Sequence, residues 1–474
     1  MKEVQIDPMS LERLAGLLDP KRAELLMSRA ELARRLLDGR SIWNVNATAS
    51  GGGVAEMLTT LLAYSRGADV DARWLVLDGN PEFFRLTKRL HNLLHGSAGD
   101  GGAMGDAERE VYESVLASNS ESLNEHVKEG DIVLLHDPQT AGLVEGLQGS
   151  GAKVIWRCHI GKDTTDEQTD LGWEFLKPYL QHCDGVIFSR AAYVPEWVDE
   201  ETLRLIPPSL DPFSTKNADL RKADGEATLR CAGLVDLAEG DGRLTFERRD
   251  GSEGTVRPHE DLFAAGSVIP GDARLVMQVS RWDRLKDMTG VLKSFVDHLD
   301  RFPADVHLAL VGPEVSGVSD DPEGAEVLEE CVALWEELPA EHQERVHLVA
   351  LPMDDVDENA HMVNALQHHA TVVVQKSLVE GFGLTVTEPM WKGKPVVASK
   401  VGGIQDQIVD GTSGLLLDDP EDLEGFADLL VRVLEDEELA AELGRKARER
   451  VREMFLGDRH LIQYVQLFAE LLEL

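Results

Sequence analysis

An α/β protein of two parallel-sheet domains facing a central cleft is the fold class that three observations predict. The chain has 474 residues, too many for one ordinary core. Short apolar runs alternate with helical patterns in both halves, the rhythm of β-α-β units. Each half also carries a glycine-rich turn from strand to helix, where open α/β sheets bind their ligands.

The elements follow in order. Residues 1–40 read as amphipathic helix broken near Pro20, and the strand "IWNVNAT" follows. The turn "ASGGG", the helix "VAEMLTTLLAYSRG" and the strand "ARWLVLD" complete a β-α-β unit. Strands recur at "DIVLLHD", "KVIWRCH" and "GVIFS", giving a first domain over 1–210 with a helical extension at its N-terminus. "LRLIPPSLDPFS" (203–214) carries three prolines and reads as a hinge. Residues 211–265 read as a charged linker or insertion with a hairpin turning at Asp250-Gly251. A second alternation, "RLVMQVS", "VHLALVG", "RVHLVAL", "ATVVVQK", "KPVVAS" and "GLLLD", predicts a second domain over 266–455. Residues 456–474 form an apolar helix expected to pack back across the hinge.

Composition narrows the function. The formal charge of −39 repels polyphosphate, which excludes non-specific nucleic-acid binding. That acidity fits a salty cytoplasm and fits plain solvated helix faces as well. No apolar run is long enough to span a bilayer, and "MKEVQIDPMS" has no signal-peptide core, so a cytoplasmic location is expected. Cys158, Cys183, Cys231 and Cys331 have neither metal-ligand nor redox-motif spacing and are expected as free thiols.

The glycine-rich turns carry the chemistry. Gly51, Gly52 and Gly53 would present backbone N–H groups and a helix N-terminus to an anion or a sugar hydroxyl. The dinucleotide fingerprint fails there, because Glu56 stands where Gly or Ala is required. Asp78 at the end of the next strand keeps a nicotinamide enzyme open as a rival, and a bare tight turn is a second alternative. In "EGFGLTVTE" a helix starting near Gly383 would aim the N–H groups of Phe382, Gly383 and Leu384 at a phosphate or sugar oxygen. Glu380 precedes that helix, Glu388 lies just over one turn inside it, and Pro389 should kink or shorten it. In "SRWDRLK", Arg281 and Lys286 straddle a strand-to-helix turn, suited to a diphosphate but equally read as a solvated pair; Arg284 between them reads as surface. The pairs Asp69/Asp71 and Asp355/Asp357 read as chance spacing in an acidic chain, and His368-His369 as a helix end. Cys158 beside His159 points to the opposite strand face, against a thiol nucleophile.

Taken together, "GGG", "SRWDRLK" and "EGFGLTVTE" resemble the retaining glycosyltransferases of the GT-B fold, two Rossmann-like domains, in glycosyltransferase family 4. "WNVNATASGGGVAEML", "LLHDPQTAGL", "VIWRCHIG" and "EGFGLTVTEPMWKGKPVVAS" are similar to the trehalose glycosyltransferring synthases. The resemblance implies glucosyl transfer from a nucleoside-diphosphate glucose (UDP- or ADP-glucose, for example) to free glucose, giving α,α-trehalose. It assigns Arg281 and Lys286 to the donor diphosphate, Glu380 to the donor sugar and Glu388 to the ribose. His159 is placed beside the reacting sugar, with Arg281, Lys286 and Glu380 as its catalytic companions. Gly52, Gly53, Phe382, Gly383, Leu384 and Thr385 are implied as the donor cradle. Asn46, His136, Asp137, Gln139 and Arg157 are implied on the acceptor side. Nothing in the residues demands a bound cofactor or metal, Mg²⁺ being expected only with the nucleotide in solution, and the oligomeric state is left open with a homodimer among the candidates. Gly161 departs from the pattern, since some relatives carry an acidic residue there. A sucrose- or glycogen-synthase-like acceptor, and a non-catalytic nucleotide-sugar-binding subunit, are the alternatives.

Overall fold

The computed structural model describes residues 1–49, 53–315 and 322–472. The chain forms two compact units, one of Met1–Leu210 with Phe455–Leu474 and one of Asp211–Met454.

In the first unit the strands are β1 (Lys2–Val4), β2 (Ile42–Asn46), β3 (Ala72–Val76), β4 (Ile132–His136), β5 (Lys153–Cys158), β6 (Gly185–Phe188) and β7 (Leu203–Leu205). They form one sheet in the order β1-β3-β2-β4-β5-β6-β7, parallel except for β1. The central strands β2 and β4 are buried along their whole length, as strands covered by helices on both faces must be, so they read as unbroken apolar runs. Two edges escape the sequence reading. β1 and β7 are three residues each, too short to show a period, and they are held by pairing with β3 and β6. Part of the proline-rich hinge stretch is therefore strand.

The helix Gly457–Leu471 belongs to this first unit. Its apolar face, with Val465, Leu467 and Phe468, is buried. A bidentate ion pair from Arg22 to the buried Asp458, 2.7 Å at its closest, fixes its first turn.

In the second unit a polar lead-in supplies β8 (Val235–Asp236), β9 (Thr245–Glu247), β10 (Glu253–Thr255), β11 (Phe263–Ala265) and β12 (Ile269–Pro270). The main strands are β13 (Arg274–Val279), β14 (Val306–Pro313), β15 (Val346–Leu351), β16 (Val372–Gln375), β17 (Val396–Ser399) and β18 (Leu415–Leu417). The sheet order is β11-β15-β14-β13-β16-β17-β18, with only β11 antiparallel. Apolar cores lie on both faces. Residues 211–265 take part in one of them. The helix Lys222–Ala232 and the β9–β10 hairpin bury Leu229, Ala232, Phe246 and Val256 in that core. Their charges are spent locally: Arg248 pairs with Asp355 at 2.6 Å, and Arg257 pairs with Glu358, itself 1% exposed. Asp355 also caps the helix Val356–His369, which accounts for that acidic pair structurally.

Candidate active site

In the second unit the charged residues gather where β13 and β16 end, at the carboxyl edge of the sheet. Lys286 Nζ lies 2.7 Å from Glu380 Oε2, so residues 94 apart in sequence meet in a charge-assisted hydrogen bond. Ser377 Oγ donates to the same carboxylate oxygen at 3.3 Å. Beneath them Lys376, wholly buried, forms an ion pair with Asp287, the residue after Lys286. Gln278 ties both segments together: its Oε1 accepts from Lys376 N at 3.0 Å and its Nε2 donates to Lys286 O at 2.7 Å. Asp287 has φ +51° and caps the following helix through Gly290 N. The turn carrying Lys286 is thus fixed by side chains at both ends. Arg281 makes an ion pair with Asp283 at 2.9 Å and is half exposed; Arg284 pairs on the surface with Glu330 and Glu326.

The helix Leu384–Trp391 starts where expected and ends two residues past Pro389. Its N-cap is Gly383 at φ +87°, a conformation that disfavours other residues, and a Cβ there would approach Glu380 Cγ to 3.1 Å. Glycine has no side chain with which to cap, so among the described residues the first turn, which includes Leu384 and Thr385, has no N-cap side-chain bond. The carbonyls of Phe382 and Gly383 accept instead from Gln407 Nε2, at 2.5 and 3.2 Å, which orients this turn. An uncapped helix N-terminus beside Lys286 suits an anionic group. Glu388, on the same helix, is 3% exposed and contacts Lys216 and Gln367, each at 3.3 Å.

In the first unit the candidate residues cluster at the ends of β2, β4 and β5. Asn46 is buried, accepting from Trp74 Nε1 at 2.7 Å and donating to Thr48 O. His136 joins His159 and Asn44, each through a 3.1 Å contact. Asp137 holds φ +63° and ψ 177°, a region that costs a non-glycine residue about 1–3 kcal/mol. Its carboxylate accepts the His159 N–H at 2.8 Å. Gln139 sits in the short 3-10 turn Pro138–Thr140. Gly53 opens the helix Gly53–Gly67; Gly51 and Gly52 lie outside the described residues.

Arg157, expected on the acceptor, spends its guanidinium inside the unit. It is wholly buried and donates to His460 Nε2 at 2.7 Å, to Tyr464 Oη and to Ile206 O at 2.9 Å. It therefore supports the neighbouring groups. At Gly161 a Cβ would sit 2.2 Å from the Tyr193 ring, so a side chain at this position would need that ring to shift. Cys158 is buried and its thiol is pushed up by burial, which removes it as a nucleophile. Asp78 is exposed and bound to the N-terminal amine at 3.0 Å. Lys376, Asp287, Gln278, Gln407, Asn44, His460 and Tyr464 were not singled out from sequence. Only Lys376, a lone cation closing an apolar run, left a visible trace there.

Burial sets the protonation of this region. It pushes His136 down to about 3, with the Arg157 charge adding to the effect, and holds His159 and His460 well below the usual range for the same two reasons. Burial also lowers His347, His361 and His368 to about 4. Asp137 moves the other way, raised by burial to about 7 against the His159 N–H and Arg157. At pH 5.5 the six histidines stay neutral when folded, while unfolded imidazoles near about 6.5 bind protons. Their stabilisation is full above about 6.5 and lost as pH falls toward 4; the Asp137 contribution is instead lost as pH rises through 7. Unfolding at pH 5.5 should therefore take up several protons net. Calorimetry in buffers of different ionisation enthalpy measures this, and net release would contradict the assignment.

Two doubly wound units, with a cation–carboxylate pair at a helix N-terminus in the second, have the architecture of the GT-B glycosyltransferases. Residues 260–450 match the glycosyl transferases group 1 family and residues 44–195 the trehalose synthase N-terminal domain. The chain belongs to the trehalose synthase family. It is 36% identical over 454 residues to the trehalose synthase of Rubrobacter xylanophilus, covering 95% of each chain. It is 33% identical over 471 residues to that of Pyrococcus horikoshii, covering 99% of each. In fold it is similar to the α,α-trehalose-phosphate synthase (UDP-forming) of Burkholderia xenovorans, solved with glucose-6-phosphate. The TM-score is 0.65 at 15% identity, over 91% of this chain and 100% of that one.

Proposed function

We propose that this protein is a retaining glucosyltransferase that moves glucose from a nucleoside-diphosphate α-glucose to free glucose, forming α,α-trehalose. The observation that carries the reading is the Lys286–Glu380 pair beside the uncapped start of the helix Leu384–Trp391. Membership of the trehalose synthase family supports the sugar chemistry.

On this reading the second unit binds the donor. Glu380 accepts from the sugar hydroxyls, Lys286 and Arg281 face the diphosphate, the N–H groups of Gly383, Leu384 and Thr385 take phosphate oxygens, and Glu388 takes the ribose. Asn46, His136, Asp137, Gln139 and His159 of the first unit serve the acceptor and the reacting sugar. The bond from C1 to the phosphate oxygen breaks, and a bond from C1 to the acceptor oxygen forms on the same face. The acceptor hydroxyl proton passes to the departing phosphate. No enzyme nucleophile is needed, and catalysis consists of positioning and stabilising charge on the diphosphate.

Thermal unfolding with added ligand tests the donor site. UDP-, ADP- or GDP-glucose should raise the midpoint in proportion to the logarithm of its concentration, and NAD should not. Protection by NAD, with none by any nucleotide sugar, would contradict the reading.

A further inference from the structure

The hydrogen-bond chain at the ends of β2, β4 and β5 fixes more than the position of His159. Asn44 Oδ1, a carboxamide oxygen, can only accept, so the His136 Nε2 that lies 3.1 Å from it carries the hydrogen. A neutral imidazole holds one N–H, which makes His136 Nδ1 a bare acceptor. Among the described residues the group facing that nitrogen is His159 Nε2, also at 3.1 Å, and it must therefore donate. The ring centroids lie 5.4 Å apart, the separation that an in-plane hydrogen bond between imidazoles gives, and the rings are within 16° of parallel. With its hydrogen on Nε2, His159 is left with an unprotonated Nδ1, which has no partner among the described residues. Its backbone is held separately, through the bond from its N–H to Asp137 Oδ1.

We infer that Asn44 and His136 are positioning residues that lock His159 as its Nε2–H tautomer, so that its Nδ1 accepts a hydrogen bond from a sugar hydroxyl. The inference rests on the glucosyl-transfer reading for the identity of the ligand, and on this chain's geometry alone for the tautomer.

A second chain backs the first. Arg157 cannot accept, so His460 Nε2 accepts from it and His460 Nδ1–H donates to Ser209 Oγ at 3.0 Å. The buried guanidinium, held by His460 and Tyr464 of the C-terminal helix, faces the histidine chain from β5 and opposes protonation of either ring. Protonated His159 would turn Nδ1 into a donor and reverse what it can bind.

Long-range proton–nitrogen NMR on the free protein, labelled with ¹⁵N-histidine, reads the tautomer without any substrate. The His159 signals are identified by their loss in His159→Gln, among those of 15 histidines. The wild-type protein should show His159 protonated at Nε2 and bare at Nδ1; protonation at Nδ1 would overturn the inference. Asn44→Leu removes the terminal acceptor, and His136 and His159 should then both populate two tautomers while the signals of the other histidines keep their positions. An unchanged single tautomer in that variant would overturn the role of Asn44. Because no sugar is present, failure of the inference is distinct from failure of the glucosyl-transfer reading, which is judged by the product formed.

Discussion

Lys286→Ala is expected to lower turnover by about 10²- to 10³-fold, the usual loss when one preorganised charge at a leaving group is removed. The ammonium is only partly exposed and is held in place before any ligand arrives. Glu380 lies 2.7 Å from it, Gln278 grips its carbonyl, and Asp287 anchors the residue next to it. Little reorganisation is therefore needed when the diphosphate departs, and that economy vanishes with the side chain. The carboxylate it leaves behind, Glu380, is 11% exposed and keeps the Ser377 hydroxyl as a donor. Folding should survive, with an unfolding midpoint in urea below that of the wild type, because a mostly buried carboxylate loses its cation. Steady-state rates at saturating donor provide the check, and near-wild-type turnover would contradict the role of Lys286.

Lys376→Met should act on stability instead, destabilising the protein by about 3–5 kcal/mol. Lys376 is fully buried and Asp287 is 15% exposed, so removing the lysine strands a mostly buried carboxylate. Lys376 also sits between β16 and the segment bearing Ser377 and Glu380, which couples the damage to the site. Asp287→Asn keeps an acceptor for Gly290 N while removing the stranded charge. The double variant Lys376→Met/Asp287→Asn should thus recover part of the loss. Urea unfolding of the two single variants and the double variant tests this. A loss below about 1 kcal/mol in Lys376→Met would place the pair with ordinary surface bridges.

The sheets were legible in the sequence because their central strands are covered on both faces and read as continuous apolar runs. The helix start at Gly383 was legible because a glycine between an acidic loop and an apolar helix pattern has few other uses. β1 and β7 were not, since three residues carry no periodicity and their stability lies in their partners. The helix Lys222–Ala232 was hidden by its charges and by Gly225. Individual charges were visible, but their pairings were not. Lys376 meets Asp287 across 89 positions and Arg157 meets His460 across 303. Strand alternation says which face Arg157 occupies; only the folded chain says that the C-terminal helix covers it. The bonds of Arg157 to His460, Tyr464 and Ile206 were therefore legible only in the folded chain.

The most direct measurement is to incubate the protein with glucose and UDP-, ADP- or GDP-glucose in turn, then identify the disaccharide by NMR. A non-reducing, α,α-linked product from at least one donor, lost in Lys286→Ala, is the result predicted here. Hydrolysis alone with all three donors, or transfer only to an acceptor other than glucose, would contradict it.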